Sequence, residues 1–388
     1  MLNKKHFNFK LILGCLTVLC LAVILAGCSS AKSGEDEIPE IDGLEYESTL
    51  DLEYATEFKI YQYKGGYSYI HIVDSEDYLV IPEDGKIPEN LPKDVVVLEK
   101  PLDNIYMAAT SNMALANAVN GLDDIGYSSV EADDWYVEEA ADAMNEGKIK
   151  YAGKYNTPDY EMLVGENCDL AIESTMILHN PEVKEKLEEL GIKVLVEKSS
   201  YEKHPLGRTE WVKLYGVLLD KEEEAEKAFD AQKAVIDQLA DIENTGKTVA
   251  FFYVNSNGGV VTRKSDDYVP TMIEIAGGEY IFDDLGDPEK KTSTVNMQME
   301  EFYASAKDAD YIFYNSSIVA PVNSMDELLE LSPVLAEFKA VKEGNVWCTG
   351  KNLFQETDKL GGIIEDMSTI LTTKDENLDT LDYFFKVK

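Results

Sequence analysis

The sequence predicts an α/β protein with two Rossmann-like lobes, whose parallel-type sheets are joined through one long α-helix. A helix–strand alternation runs across residues 159–196, and a second copy of it runs across residues 300–348, with a long amphipathic segment between them. Strands that alternate with helices form parallel sheets covered on both faces. The predicted N-lobe, connecting helix and C-lobe are residues 100–220, 221–244 and 245–388.

Composition supports a folded chain and excludes one class of partner. Of 388 residues, 74 are acidic and 35 are basic, which gives a formal net charge of -39. With 45% hydrophobic residues, the chain has enough apolar surface for a large core, so the acidity belongs to a folded surface. Such a surface repels phosphate backbones, and nucleic acid is excluded as a partner.

The N-terminus has the features of a secretion signal. Lys4, Lys5 and Lys10 precede an uncharged apolar run at residues 11–27, which ends directly before Cys28. Small residues before a Cys at this position resemble the lipobox of bacterial lipoproteins, in which a peptidase cuts before the Cys and acyl chains are attached to it. The alternative is an uncleaved signal anchor, for which the run is marginal against ~30 Å of hydrocarbon. Both interpretations place the remaining chain outside the cytoplasm.

The lipobox resemblance implies a lipid-anchored protein on the extracytoplasmic face of the cell membrane. Residues 1–27 would be the signal peptide, and acyl chains on Cys28 would provide a durable anchor. Residues 28–42 are rich in Ser, Glu and Pro, and they predict a flexible tether. Cys168 and Cys348 lie in apolar contexts, where we expect small buried side chains, with a disulfide as the alternative.

Residues 43–99 form a β-rich extension that is expected to pack on the N-lobe. Tyr- and Val-rich segments are separated by turn residues at 65–66 and 83–85, a pattern that predicts a small β-meander. The role of this extension is not evident from the sequence.

The two lobes contain the elements of one repeated unit. In the N-lobe, the patterns predict strands at 104–109, 170–173 and 192–196, and helices at 111–119, 158–166 and 181–190. In the C-lobe, they predict strands at 311–314 and 345–348, a helix at 299–307, and a helical region at 326–341 that is interrupted at Pro333. Asp169 and Asp310 each precede a matching strand, while Gly191 and Gly344 each end a matching helix.

The connecting segment carries its own helix signals. Asp220 followed by Glu223 is similar to a capping box. Apolar residues recur at helical spacing at Ala225, Phe229, Ile236, Leu239 and Ala240. A helix of about 22 residues would span ~33 Å, about the diameter of a domain. Such a stiff connection permits only small rotations of the lobes.

Together these features resemble the substrate-binding lipoproteins of ABC importers for iron complexes and cobalamin. Residues 201–216 read YEKHPLGRTEWVKLYG and are similar to a segment common in one branch of that family, as are residues 272–282, MIEIAGGEYIF. The resemblance covers roughly residues 100–372, and the stretch at 43–103 departs from it. It implies a class III periplasmic binding protein with a helical backbone, which works as a monomer and delivers its ligand to an ABC permease dimer and its ATPase.

The resemblance also implies permease-docking glutamates, one on each lobe. The family pattern falls on Glu161, eight residues before Asp169, and on Glu300 or Glu301, ten or nine residues before Asp310. A carboxylate in the first turn of a helix is favoured by the helix dipole and can bind an arginine in bidentate fashion. The alternative is that these are ordinary first-turn acids, which are common in a chain this acidic.

The ligand is expected between the lobes, where the loops that follow the strands meet. Polar candidates in these loops are Thr110, Ser111, Asn112, Ser174, Thr175, Ser256 and Asn257. The chain has only two arginines, Arg208 and Arg263, and the resemblance places both near the cleft, where they would suit an anionic metal complex. Their alternative role is structural. Trp135 and Tyr155 are candidates to stack on a flat ligand, whereas Trp347 fits a buried strand.

Other function classes are disfavoured. His71, His179 and His204 are scattered, so we expect no metal site, and we find no nucleophile elbow, phosphate loop or Cys–His pair that would indicate an enzyme or a resident cofactor. The ligand would itself be an iron or cobalt complex, with siderophore, haem and cobalamin as equal candidates. The alternative function is a surface sensor or adhesion lipoprotein that keeps the fold without a transporter.

Overall fold

The computed structural model of the chain describes residues 38–239, 242–375 and 377–388. The predicted signal peptide, Cys28 and the tether as far as residue 37 lie outside these residues. Within the described part of the chain, no helix is both long enough and apolar enough to cross a membrane.

The extension forms a five-stranded sheet in the order β1-β2-β3-β4-β5. Its strands are β1 (Tyr46–Thr49), β2 (Phe58–Tyr63), β3 (Tyr67–Ile72), β4 (Asp77–Ile81) and β5 (Val95–Glu99). The first four strands pair antiparallel, as a meander requires. The prediction is wrong for β5, which pairs parallel with β4 because the connection at residues 82–94 is long enough to carry the chain back across the sheet.

Two buried glutamates attach the extension to the N-lobe. The carboxyl oxygens of Glu210 accept hydrogen bonds from the backbone amides of residues 53–55 at 2.8 to 2.9 Å. Glu202 accepts hydrogen bonds from the amides of residues 56–57 at 3.0 Å. Successive amides of this kind form a concave site for an anion. The segment at 201–216 therefore holds the extension in place.

The N-lobe contains an all-parallel sheet in the order β12-β11-β6-β7-β8. Its strands are β6 (Ile105–Met107), β7 (Ile125–Ser128), β8 (Lys150–Tyr151), β11 (Leu170–Ser174) and β12 (Lys193–Glu197), with a separate hairpin of β9 (Gly153–Lys154) and β10 (Thr157–Pro158). Its helices are α1 (Thr110–Ala118), α2 (Glu138–Asn145), α3 (Tyr160–Gly165), α4 (Pro181–Glu189), α5 (Pro205–Glu210) and α6 (Val212–Leu219). The parallel-sheet prediction is confirmed here.

The connecting helix α7 (Glu222–Leu239) spans 18 described residues, or ~27 Å at 1.5 Å per residue. Its start differs from the predicted capping box. Asp220 adopts a left-handed backbone conformation, with φ 56°, and ends α6. The helix therefore begins after Lys221, whose carbonyl accepts a hydrogen bond from the amide of Ala225 at 3.0 Å.

The C-lobe sheet is mixed and has the order β16-β14-β13-β17-β18-β19, with β15 paired to β13. Its strands are β13 (Thr248–Val254), β14 (Val260–Arg263), β15 (Glu279–Tyr280), β16 (Thr294–Met297), β17 (Tyr311–Tyr314), β18 (Val346–Thr349) and β19 (Phe384–Lys386). Its helices are α8 (Tyr268–Ile275), α9 (Met299–Ala306), α10 (Met325–Leu331), α11 (Lys339–Glu343) and α12 (Leu360–Thr372). The central strands β13, β17 and β18 are parallel, whereas β14, β16 and β19 run antiparallel to their neighbours.

Helix α7 packs against both lobes. On the N-lobe side, α6 approaches so closely that a Cβ added at Gly216 would lie 2.8 Å from the Cβ of Ala225. On the C-lobe side, the amide of Gly361 in α12 donates to Gln232 Oε1 at 3.0 Å. Ala225, Phe229 and Ile236 are the buried residues of α7, and they join a hydrophobic core that includes residues of both lobes. The helix thus connects the lobes from one side of that core.

The sequence repeat has a structural counterpart. Asp169 precedes β11, and its Oδ2 accepts a hydrogen bond at 3.1 Å from the amide of Asp103, close to the start of β6. Asp310 precedes β17, and its Oδ2 accepts from the amide of Thr248 at 2.8 Å, at the start of β13. In each lobe, an aspartate therefore ties the beginnings of two adjacent parallel strands together.

Candidate functional site

A pocket of about 450 Å³ lies at the carboxyl ends of β6, β7, β8 and β11. We call it the N-lobe pocket. Its polar and aromatic lining includes Thr110, Ser129, Tyr151, Lys154, Tyr155 and Ser174. Because parallel strands all end at the same edge of a sheet, the loops that follow them converge there, and such an edge is where α/β sheets bind ligands.

Hydroxyl groups fix the loops around the N-lobe pocket. Ser129 Oγ donates to the carbonyl of Ala108 at 2.6 Å, which joins the loops after β7 and β6. Ser174 Oγ accepts from the amide of Met176 at 3.3 Å and thereby caps the helical turn after β11. These contacts hold the pocket wall in place without a ligand.

Three of the predicted ligand residues come together in this pocket: Thr110, Tyr155 and Ser174. Ser111 and Thr175 are their chain neighbours but do not line it. Ser111 Oγ donates to the side chain of Asn112 at 3.1 Å, and the hydroxyl of Thr175 lies 3.0 Å from that of Ser200, beyond the end of β12.

Two other predicted N-lobe residues do not line the pocket, because their side chains lie inside the protein. Trp135 is buried, and its Nε1 donates to Ser128 Oγ at 3.2 Å, so the ring belongs to the core. Asn112 is fully buried in the first turn of α1.

Arg263 is also a structural residue. Its Nε and Nη2 atoms donate to the two carboxyl oxygens of Asp267 at 2.8 and 2.7 Å, and 8% of the residue is exposed. Burial acts to lower the pKa of Arg263, but the Asp267 carboxylate outweighs it and raises that pKa. The geometry therefore matches the alternative, structural role, because the guanidinium binds an internal carboxylate.

Arg208 is buried beside Arg263. The guanidinium carbon of Arg208 lies 4.3 Å from the ring centre of Tyr268, and that of Arg263 lies 5.3 Å from the same centre. Both arginines therefore stack on one tyrosine at the contact between α5 and α8. With 7% of its surface exposed, Arg208 also serves the lobe contact.

Ser256 and Asn257 lie exposed in the hairpin between β13 and β14. The amide of Asn257 donates to Asn255 Oδ1 at 2.9 Å, which fixes the turn. This hairpin stands at the carboxyl end of β13, but neither residue is among those that line the N-lobe pocket.

Two exposed apolar side chains near strand ends are not among the residues that the sequence predicts for the site. Met176 follows β11 and is 49% exposed, and Ile318 follows β17 and is 59% exposed. Strands β11 and β17 occupy equivalent places in the two repeats, so each lobe exposes an apolar side chain after the same strand. Of the two, Met176 lines the N-lobe pocket. The sequence repeat aligns the loops after β11 and β17, so a comparison of these two loops could have identified both side chains.

Two buried acids near the pocket were also missed. Glu173 and Glu197 lie at the carboxyl ends of β11 and β12 and are at most 1% exposed. Burial raises the pKa of Glu173 to about 8 and that of Glu197 to about 7. Within the described residues, neither carboxyl oxygen of Glu173 has a hydrogen-bond partner. Both acids can therefore hold a proton near neutral pH, unlike exposed carboxylates.

A second cavity, of about 230 Å³, lies between the lobes. We call it the interlobe pocket. It is lined by N-lobe residues 200–203, by C-lobe residues 264, 266–267, 288 and 290–293, and by Glu57 of the extension. The extension therefore forms part of a wall between the lobes.

Several polar contacts join the two lobes directly, among them those of Gln355 and Lys203. Gln355 Nε2 donates to the carbonyl of Asp134 at 3.0 Å, and Gln355 Oε1 accepts from the amide of Tyr136 at 2.8 Å. Beside the interlobe pocket, Lys203 Nζ lies 2.9 Å from Asp266 Oδ2. The structure therefore has the lobes in contact, with polar bonds that a separation would break.

The three predicted docking glutamates are exposed in first helical turns. Glu161 lies in α3, where Asp159 accepts a hydrogen bond from the amide of Met162 at 3.0 Å and caps the helix. Glu300 and Glu301 lie in the first turn of α9. Their positions match the predicted geometry, while docking itself stays a prediction.

Across the described ranges of the chain, the cysteines form no disulfide and the possible metal ligands form no cluster. Cys168 and Cys348 are buried and not disulfide-bonded, as the apolar contexts predict. Burial raises the pKa of Cys168 to about 12, so it remains a thiol. Among the described residues, no group of three or more His, Cys, Asp or Glu side chains could hold a metal ion.

Comparison with known proteins places this geometry in context. The chain is 28% identical over 395 residues to an uncharacterized lipoprotein of Methanocaldococcus jannaschii, with 91% of each chain covered. A periplasmic haem-binding protein from Pseudomonas aeruginosa has a similar structure, with a TM-score of 0.59, 15% identity, and coverage of 74% of this chain and 98% of the other. An Fe3+-hydroxamate transport protein from Saccharomonospora viridis is similar with a TM-score of 0.55, 14% identity, and coverage of 70% and 94%.

These structural likenesses show a shared fold, the mixed α/β fold with parallel sheets predicted from the sequence. The family itself is shown by a sequence model described as periplasmic binding protein, which matches residues 109–353. Its members bind solutes for transport and are not enzymes. The chain belongs to the periplasmic binding protein family.

Proposed function

We propose that this chain is a lipid-anchored, extracytoplasmic receptor that captures an iron complex, either a siderophore or haem, or a cobalamin-like ligand and delivers it to an ABC permease. The observation that carries the proposal is the N-lobe pocket, an open cavity at the carboxyl ends of four parallel strands. Its volume of about 450 Å³ is within the range of small-molecule sites.

The lining of the pocket suits a large ligand with both polar and apolar parts. Tyr151 and Tyr155 offer aromatic faces, while Thr110 and Ser174 offer hydroxyl groups. Met176 adds an exposed apolar side chain to the same wall. A metal complex of a macrocycle or chelator has flat apolar surfaces bordered by oxygen or nitrogen atoms, and it would find partners for both.

Support for the anchor comes from the N-terminal signal and from relatives. The lipobox-like sequence ends at Cys28, and two relatives from Methanocaldococcus jannaschii are described as lipoproteins. Support for delivery is the presence of exposed first-turn glutamates in equivalent helices of the two repeats.

Calorimetric titration of the purified chain tests the ligand class. Haemin, a ferric hydroxamate, a ferric catecholate and cyanocobalamin are added separately, and we expect one class to bind at micromolar concentration or below. Tyr155→Ala should weaken that binding up to about ten-fold, because a ligand-stacking aromatic side chain contributes up to about 1.5 kcal/mol. Tyr136→Ala is the matched control, since Tyr136 is an exposed N-lobe tyrosine outside the pocket. Absence of binding by all four ligands would refute the proposed class.

Uptake measurements test the docking step. In cells that contain the cognate permease, reversing Glu161, Glu300 and Glu301 to Arg should abolish uptake while the calorimetric affinity is kept. Glu182→Arg is the control, because Glu182 is an exposed first-turn acid of α4 that the pattern does not select. Normal uptake by the triple variant would remove these glutamates from the proposal.

A further inference from the structure

The turn between β3 and β4 is fastened to the N-lobe by two lysines. Lys198, directly after β12, donates from Nζ to the carbonyls of Val73 and Asp74 at 2.7 and 2.6 Å. Lys198 is 3% exposed, so this contact is shielded from solvent. Lys184 in α4 forms an ion pair with Glu76 at 2.6 Å. The turn therefore moves with the N-lobe.

From this fixed turn, one carboxylate reaches the C-lobe. Asp74 has a left-handed backbone conformation, with φ 50°, which Asp and Asn tolerate better than most residues. Its Oδ2 lies 2.5 Å from Nζ of Lys291, in the C-lobe loop before β16. The hydrogen bond from Lys291 lowers the pKa of Asp74 and keeps it ionised.

Lys291 and Glu57 are wall residues of the interlobe pocket. The nearest ion-pair distance between them is 3.8 Å. Glu57 belongs to the segment whose amides are held by Glu202, so it is also fixed to the N-lobe. Lys291 thus faces two carboxylates that the extension positions at the junction of the lobes.

We infer that Asp74 and Lys291 form an electrostatic latch through which the N-terminal extension holds the C-lobe against the N-lobe beside the interlobe pocket. Since the turn is fastened to the N-lobe, separating the lobes there requires breaking the Asp74–Lys291 pair. The latch gives the extension a role in limiting lobe opening, and this role does not depend on which ligand is bound.

The exposure of the latch determines its strength. The side chains of Lys291 and Asp74 are 43% and 72% exposed, and an ion pair between exposed groups is weak and is screened by salt. A weak contact suits a device that must open and close reversibly. Its effect on local opening should therefore be a few-fold and should fall as ionic strength rises.

Amide hydrogen exchange of the full chain, measured by mass spectrometry without ligand, tests the latch. Asp74→Asn removes the charge and keeps a residue that tolerates the left-handed backbone. We expect exchange in residues 200–203 and 288–293 to become about two- to five-fold faster, the range that corresponds to an exposed ion pair. Added salt should speed exchange of these segments in the unmodified chain and have less effect in the variant.

Glu76→Gln is the matched control, because Glu76 pairs with an N-lobe lysine and makes the same kind of contact without crossing to the C-lobe. It should leave exchange at both segments unchanged. Restored protection in the double variant with Asp74→Lys and Lys291→Asp would support the pairing directly. Unchanged exchange in Asp74→Asn, or equal acceleration in Glu76→Gln, would show that the pair is an ordinary surface contact and would overturn the inference.

Discussion

The two lobes contain the same repeated unit but use it differently. In the N-lobe, every pair of the five-stranded sheet is parallel, and the loops at its carboxyl edge surround an open pocket. In the C-lobe, antiparallel strands β14, β16 and β19 extend the parallel centre. Arg263, beside this centre, is satisfied by Asp267 within the same lobe. The difference indicates that the carboxyl edge of the N-lobe sheet leaves a pocket open to a ligand, whereas Arg263 in the C-lobe binds an internal carboxylate.

The largest contrast concerns the two arginines that stack on Tyr268. Arg263→Met should destabilise the protein by about 3–5 kcal/mol, because it leaves the buried carboxylate of Asp267 without its partner. Arg208→Met should cost about 1 kcal/mol, since it removes a ring contact and no bidentate pair. Urea unfolding of both variants measures the difference. Equal losses would show that the arginines act as one unit on the tyrosine.

Glu173 in the N-lobe and Asp310 in the C-lobe should respond to pH in opposite ways. The pKa of Glu173 is raised by burial from 4.5 to about 8, so between these values the folded state keeps a proton that the unfolded state has released. Stability is therefore lost as the pH rises through this window. We expect a loss on the order of 3 kcal/mol between pH 5 and pH 8, measured by urea unfolding. Glu173→Gln cannot ionise and should have a smaller slope, to which Glu197, Asp358 and Asp366 still contribute because burial raises their pKa values as well. A slope equal to that of the unmodified chain would assign the pH dependence to other groups.

A smaller effect separates the two repeated aspartates. Asp310 accepts hydrogen bonds from Thr248 and from Nζ of Lys339, the latter at 2.6 Å, whereas Asp169 is exposed and accepts from the amide of Asp103. Asp310→Asn should cost about 2 kcal/mol and Asp169→Asn under about 1 kcal/mol, because hydrogen bonds to a charged group are the stronger ones. The free energy of urea unfolding at pH 7 is the measurement.

The stabilisation by Asp310 should be lost at low pH. Burial acts to raise the pKa of Asp310, but the hydrogen bonds from Lys339 and Thr248 outweigh it and lower the pKa below 3.8. The stabilisation is present above pH 3.8 and is lost as the pH falls through the lower, folded-state pKa. The difference between the unmodified chain and Asp310→Asn should therefore shrink below about pH 4. A difference that persists in strong acid would indicate a structural defect in the variant.

Local patterns in the sequence predicted much of the fold. Hydrophobic periodicity located the central strands of both lobes, and the repeated placement of Asp169 and Asp310 identified equivalent strands. These features depend on neighbours in the chain, which the sequence shows directly. The parallel pairing of β5 and the left-handed Asp220 depend on how distant segments meet, and the pattern of residues did not contain that information.

The site was harder to predict than the fold. A polar residue at the end of a strand can face a pocket, as Ser174 faces the N-lobe pocket, or face its own protein, as Arg263 does. The acid that satisfies Arg263 stands four residues later at Asp267, so its spacing was visible. Whether the two side chains form a buried pair depends on how the lobe packs, which the spacing alone does not show. Trp135 is a second example, because the path of the chain after β7 brings its indole against Ser128.

The smallest expected effect comes from a comparison of one serine hydroxyl group in each lobe. Ser174 lines the N-lobe pocket, and Ser256 lies exposed in the C-lobe hairpin after β13. With the ligand identified by titration, Ser174→Ala should weaken binding about five-fold, which is the worth of one neutral hydrogen bond. Ser256→Ala should change the dissociation constant by less than about two-fold, because its hydroxyl is outside the pocket and solvated. If Ser256→Ala has the larger effect, the ligand contacts the C-lobe hairpin, and the assignment of binding to the N-lobe alone is wrong.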